Sequence, residues 1–124
     1  MVEVVATPDC GNAPRREIIK DLVVAIAEKR VDDVGAIVAA DVNWTVIGEA
    51  EMDNLDRVLE WITGAENVKQ VRFGSILTHG REGGVDGEFT TATGQRWAFC
   101  LVIGFASTAK TAKIKTVRAY LVEP

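Results

Sequence analysis

At 124 residues the chain is one domain's worth, long enough to bury roughly two-thirds of the surface its unfolded form exposes. Apolar residues make up 48%, which excludes intrinsic disorder. The net charge of −4 and a pI near 5.0 give no electrostatic reason to expect nucleic acid or an anionic membrane as a partner.

The opening stretch "MVEVVATPDCGNAPRRE" has no basic segment ahead of an apolar run long enough for a signal peptide. The longest apolar run elsewhere, "AFCLVIGFA", is nine residues and cannot cross a bilayer as a helix. A cytoplasmic protein is therefore expected, with Cys10 and Cys100 as reduced thiols. Two cysteines and one histidine argue against a structural zinc site, and neither a metal nor an organic cofactor is expected.

Helical signals come first. Pro14 suits the first turn of a helix capped by Asn12 or Ala13. Ile18, Leu22 and Ile26, flanked by Ile19 and Val23, form one apolar stripe at helical spacing. Lys29 and Arg30 fall in its last turn, where they complement the helix dipole. A short second helix follows from Asp32 as cap through Val34, Ile37 and Val38. "VNWTVIG" reads as a strand of β-branched and aromatic residues. A third helix starts at Asp53, with Leu55, Val58, Leu59 and Ile62 on its apolar face and Gly64 as the left-handed residue that ends it.

After Gly64 the period changes to two. Val71, Phe73, Ser75, Leu77 and His79 are expected to share one face of a strand that ends near Thr78. Residues 84–93 form the next strand, and Gly94–Gln95 the turn after it. Between these two strands lies "THGREGGVDGEF", which holds the one histidine of the chain. Its Gly80, Gly83 and Gly84 suit a hairpin loop that needs positive φ. No helix follows, so the stretch is no phosphate loop. "RWAFCLVIGFAS" is apolar on both faces, and "KIKTVRAYLVE" closes the sheet. A strand apolar on both faces must be covered on both. Helices cover one; a second copy of the chain is the economical cover for the other, so a homodimer through the sheet is expected.

This order of elements resembles the nuclear-transport-factor-2-like superfamily, an α+β fold shared by SnoaL-like polyketide cyclases, ketosteroid isomerase and limonene epoxide hydrolase. The resemblance runs through "IIKDLVVAIAEKRVDDVGAIVAADVNWTVIGE", "VDGEF…TGQRWAFCLVIGF" and "AKIKTVRAYLVE". "PDCGNAPRRE", "WTVIG" and "THGREGGVDGEF" look like a bacterial subgroup. The resemblance implies one domain over 1–124, with 1–12 as an N-terminal extension: a cone-shaped, curved antiparallel sheet packed on three N-terminal helices. It also implies a small hydrophobic ligand in the mouth of the cone. Such a superfold hosts unrelated activities, so the site must carry the function.

The activities that the resemblance brings to mind lack their residues here. Ketosteroid isomerase would need a carboxylate base near Val46, a tyrosine near Leu22 and a second acid near Leu101, and all three are aliphatic. Limonene epoxide hydrolase would need Trp-Arg-Asp-Tyr where this chain has Val117–Arg118–Ala119–Tyr120. The candidate ligand-binding set is therefore Trp44, His79, Glu88, Val117 and Ala119. His79 is the one side chain whose unperturbed pKa suits proton transfer near neutrality, with Asp86 or Glu88 to orient it. His79 and Asp86 are thus the candidate catalytic pair of an isomerase or cyclase. Against that stand plainer readings: His79 as a strand-end residue, Trp44 as core, Asp86 and Glu88 as a solvated edge. Cys10, just ahead of the first helix, could pair with His79 as a nucleophile. Three functions stay open: a ligand-binding domain, an enzyme using His79, and a dimeric interaction module with a vestigial pocket.

Overall fold

The computed structural model describes residues 2–6 and 14–124. The elements run β1 (Glu3–Val5), α1 (Pro14–Ala27), α2 (Val31–Ile37), β2 (Val38–Val46), β3 (Ala50–Met52), α3 (Leu55–Gly64), β4 (Val68–His79), β5 (Glu82–Thr91), β6 (Arg96–Phe105) and β7 (Ile114–Val122). The seven strands make one sheet in the order β1-β4-β5-β6-β7-β2-β3. The expected α+β architecture is present: three helices and a curved sheet. Residues 3–5, expected in an extension, instead pair in parallel with Gln70–Arg72 at the sheet edge. The caps expected at Asn12 or Ala13 lie outside the described residues.

One face of the sheet carries the core. On β6, Phe99, Leu101, Ile103 and Phe105 are buried while the alternate Ala98, Cys100 and Val102 are half-buried. On β7, Ile114, Val117 and Ala119 point to the same side. Helix α1 lays Ile19, Leu22 and Val23 against β4 and β5. Gly83 makes that approach possible, because a Cβ there would stand 2.6 Å from Ile19 Cδ1. Gly83 and Gly84 therefore belong to β5. The hairpin needs only Gly80–Arg81, with Gly80 at φ 59°, the positive φ that a two-residue loop takes at its first position.

Helix ends differ from expectation in instructive ways. Asn54, one residue after Asp53, caps α3 by accepting the Arg57 N–H at 2.9 Å. Gly64 is the last helical residue, and Ala65 leaves in extended conformation, so no left-handed glycine ends α3. Asp32 lies inside the first turn of α2, where its charge favours the dipole without capping. At the end of α1 the left-handed residue is Lys29, at φ 56°. Lys29 N–H bonds to Ile26 O (3.1 Å) and Arg30 N–H to Ala25 O (2.8 Å), which is the Schellman pattern. Its ammonium reaches Thr63 O at 3.1 Å and Ala65 O, so it caps the end of α3 rather than its own helix.

The strongest departure from simple alternation is in β4. Pairing with β5 runs Val71↔Phe89 and Phe73↔Gly87, then shifts so that Ser75 faces Asp86, leaving Gly74 as an extra residue. This bulge bends the strand and reverses which residues face the core. Val71 and Phe73 are buried before it; Ile76 and Thr78 turn inward after it. Ser75, Leu77 and His79, expected beside Val71 and Phe73, lie on the outer face, and Leu77 is 69% exposed.

Candidate ligand-binding cavity

Between α1, α3 and the inner face of the sheet lies a cavity of about 590 Å³. The size lies within the range of small-molecule sites, roughly 300–1,000 Å³. Val23 and Ile26 of α1 and Trp61 of α3 contribute from the helices. Phe89, Trp97 and Phe99 contribute from adjacent strands, with Phe89 and Phe99 tilted at 54° and 6.2 Å between centroids. All three tryptophans of the chain, Trp44, Trp61 and Trp97, border this one space. Trp61 and Trp97 are half-buried, whereas Trp44 is 1% exposed.

Trp44 sits on β2 between Met52 of β3 and Val117 of β7. Its Nε1–H is buried with no acceptor among the described residues. Such a donor costs on the order of 1–3 kcal/mol, tolerated because the ring fills the centre of the core. Trp44 is thus mainly a structural wall. Val117 is buried next to it without bordering the cavity, and Ala119 borders it.

The other site candidates lie elsewhere. His79 is exposed at the outer end of β4, opposite Glu82. Asp86 faces Ser75, four residues along the ladder, and at about 3.3 Å per residue this separates it from His79 by about 13 Å. Asp86 Oδ1 instead accepts the Ser75 backbone N–H at 2.8 Å, fastening the bulge. Glu88 pairs with Arg96 at 2.6 Å on the same outer face, and this contact raises the Arg96 pKa. Asp86 and Glu88 do share a face, as expected, but it is the one turned away from the cavity. The structure brings Trp44 and Ala119 to the cavity and does not bring His79, Asp86, Glu88 or Val117 there. Cys10 lies outside the described residues.

Sequence reasoning missed Trp61 and Trp97. Trp61 flanks the apolar stripe of α3, and Trp97 is the first inward residue of β6. Two large rings at the ends of apolar elements were the available signal. The titratable residues that border the cavity are Lys29, Glu49, Glu60 and Glu66, of which the three glutamates are exposed, at its mouth. The inner wall is aliphatic and aromatic apart from the buried Thr91. It includes Val46, Leu101 and Ala119, the very positions where the resembling enzymes would carry acids.

No protein-family model matches the chain, and no curated protein matches it in sequence. Solved structures do match in shape. A nuclear transport factor 2-like protein of unknown function from Burkholderia xenovorans superposes with a TM-score of 0.76 at 12% identity, covering 90% of this chain and 84% of that one. The fold is nuclear transport factor 2-like. An LEH-like epoxide hydrolase from M. tuberculosis shows the same fold at TM-score 0.71 and 14% identity, over 86% of this chain and 77% of that one. So does a de novo designed protein with a curved β-sheet, at TM-score 0.73 and 20% identity, over 92% of this chain and 88% of that one. Identities this low speak to fold alone. In a nuclear transport factor 2-like fold the curl of the sheet is what opens space under the helices, and here the bulge at Gly74 contributes that curl.

Proposed function

We propose that this protein binds a small, mostly apolar molecule in the cavity and performs no acid–base chemistry of the ketosteroid isomerase or epoxide hydrolase kind on it. The carrying observation is the cavity of about 590 Å³ bordered by all three tryptophans. Apolar burial supplies the affinity, at about 25 cal/mol per Å² of apolar surface removed from water. The half-buried rings of Trp61 and Trp97 supply flat contact surface.

The isomerase or cyclase alternative needs His79 at the cavity wall, and the outward position of His79 withholds support from it. A homodimer through the outer face of the sheet belongs to the same proposal. It is supported by Leu77, Tyr120 and Val122, which are 69%, 39% and 59% exposed, and by half-buried Cys100 and Val102 between them. An interaction module with an unused cavity is the reading that remains if no ligand binds.

The test is a titration with Nile red, a neutral apolar dye whose emission rises on leaving water. Saturable binding that Trp61→Ala and Trp97→Ala weaken, in variants that keep their fold by circular dichroism, is expected. Absence of saturable binding, or affinity indifferent to both substitutions, would remove the cavity as a ligand site.

A further inference from the structure

Given the cavity-binding reading, on which this rests, we propose that the site accepts neutral and cationic organic molecules and discriminates against anionic ones. Among the described residues that border the cavity, Lys29 is the one cation, and its ammonium is turned to the carbonyls of Thr63 and Ala65. A ligand carboxylate, sulfonate or phosphate would therefore have to share that one ammonium with two carbonyls, facing three glutamates of its own sign. The mouth carries Glu49, Glu60 and Glu66, all exposed. Glu66 accepts the Thr93 hydroxyl, while Glu49 and Glu60 hold no side-chain hydrogen bond or ion pair among the described residues.

Three carboxylates against one engaged ammonium leave the entrance negative. The charge acts through water, so its reach is about one Debye length, roughly 8–10 Å at physiological salt. It repels an anionic head held at the mouth and attracts an ammonium there. Aromatic walls add to the preference, because the faces of Trp61 and Trp97 carry the negative side of the ring quadrupole. The ligand class that fits is an apolar, flat or hydrocarbon body whose polar head is an amine or hydroxyl, with the body inside and the head at the glutamates.

A matched series tests this: naphthylmethylamine, naphthylmethanol and naphthoate, which keep the ring system and change the head. Calorimetric titration at low ionic strength is expected to rank amine, alcohol, carboxylate. The amine should bind about three- to tenfold more tightly than the carboxylate, as expected for charges screened by water. Raising the salt should shrink that ratio in the wild-type protein. Glu49→Gln combined with Glu60→Gln should shrink it further, lowering the amine's affinity more than the alcohol's. A carboxylate that binds as well as the amine overturns the charge preference while the cavity reading stands. A preference unchanged by salt and by the double substitution overturns the role given to these glutamates. If none of the three binds, the alcohol included, the cavity reading itself falls.

Discussion

Asp86 Oδ1 accepts the backbone N–H of Ser75 at 2.8 Å, and this one bond ties the side chain of β5 to the bulge of β4. The extra residue, Gly74, stands so close that a Cβ there would lie 2.6 Å from Asp86 Oδ1. Carboxylate and glycine form one device that bends the strand. Asp86→Ala should therefore destabilise the fold by about 1 kcal/mol, the worth of one solvent-accessible hydrogen bond. Gly74→Ala should cost more in the presence of Asp86 than in the Asp86→Ala background. A double-mutant cycle by urea denaturation reads that coupling; strict additivity would show that the two act independently.

The same device explains what could be read from the sequence and what could not. Alternation along β5, β6 and β7 predicts strand limits within about two residues of those observed; the inward faces of β5 and β6 run unbroken, and β7 breaks step only at its start, between Ile114 and Val117, where its pairing with β6 shifts. In β4 a single glycine, indistinguishable by type from any other, reverses the alternation. Counting in twos from Val71 puts His79 on the inward face, and the bulge sends it outward. Of the candidate site, Trp44 and Ala119 reach the cavity; His79 is turned away by the bulge, Asp86 and Glu88 lie on the outer face of β5, and Val117 is buried without bordering the space. Trp61 was hidden because a large ring beside an apolar stripe is equally a core residue until the space in front of it is seen.

The tryptophans should separate by role. Trp44→Ala removes a ring that is 1% exposed and should cost roughly 3–5 kcal/mol of stability. Trp97→Ala removes a half-buried ring and should cost well under that, while lowering affinity for apolar probes. Thermal unfolding with and without probe distinguishes them. A severe stability loss for Trp97→Ala with unaltered probe affinity would make it core rather than site.

Lys29 carries two opposed effects. A lysine in left-handed conformation is strained by about 1 kcal/mol relative to glycine, yet its ammonium caps the end of α3. Lys29→Ala keeps the strain and loses the cap; Lys29→Gly loses both. Chemical denaturation should accordingly rank wild type and Lys29→Gly close together, with Lys29→Ala least stable. Alanine as stable as glycine would mean that the backbone relaxes away from positive φ.

The Asp41–Lys115 ion pair joins β2 to β7 beside the register shift between Val38 and Asn43. The Lys115 hydrogen bond and charge hold the Asp41 carboxyl below its ordinary value. A lowered folded-state pKa gives stability that is present above the unfolded-state pKa and lost as pH falls through the folded-state one. Asp41→Asn should therefore be slightly less stable than wild type at neutral pH, with the difference closing in acid below the carboxylate range. A difference that persists unchanged there would assign it to packing.

Assembly is tested at the outer face. Sedimentation at micromolar concentration should find a dimer, and Val102→Glu, in the middle of β6, should convert it to a folded monomer. A wild-type monomer at that concentration would remove the dimer.

The central claim, that the cavity is a ligand site, is tested most directly by following the three indole N–H signals of the protein by NMR during titration with naphthylmethanol. Trp61 and Trp97 should shift together and saturate, with a smaller change at sealed Trp44. Saturating shifts confined to outer-face residues such as Val102 and Tyr120, with Trp61 and Trp97 unmoved, would contradict it.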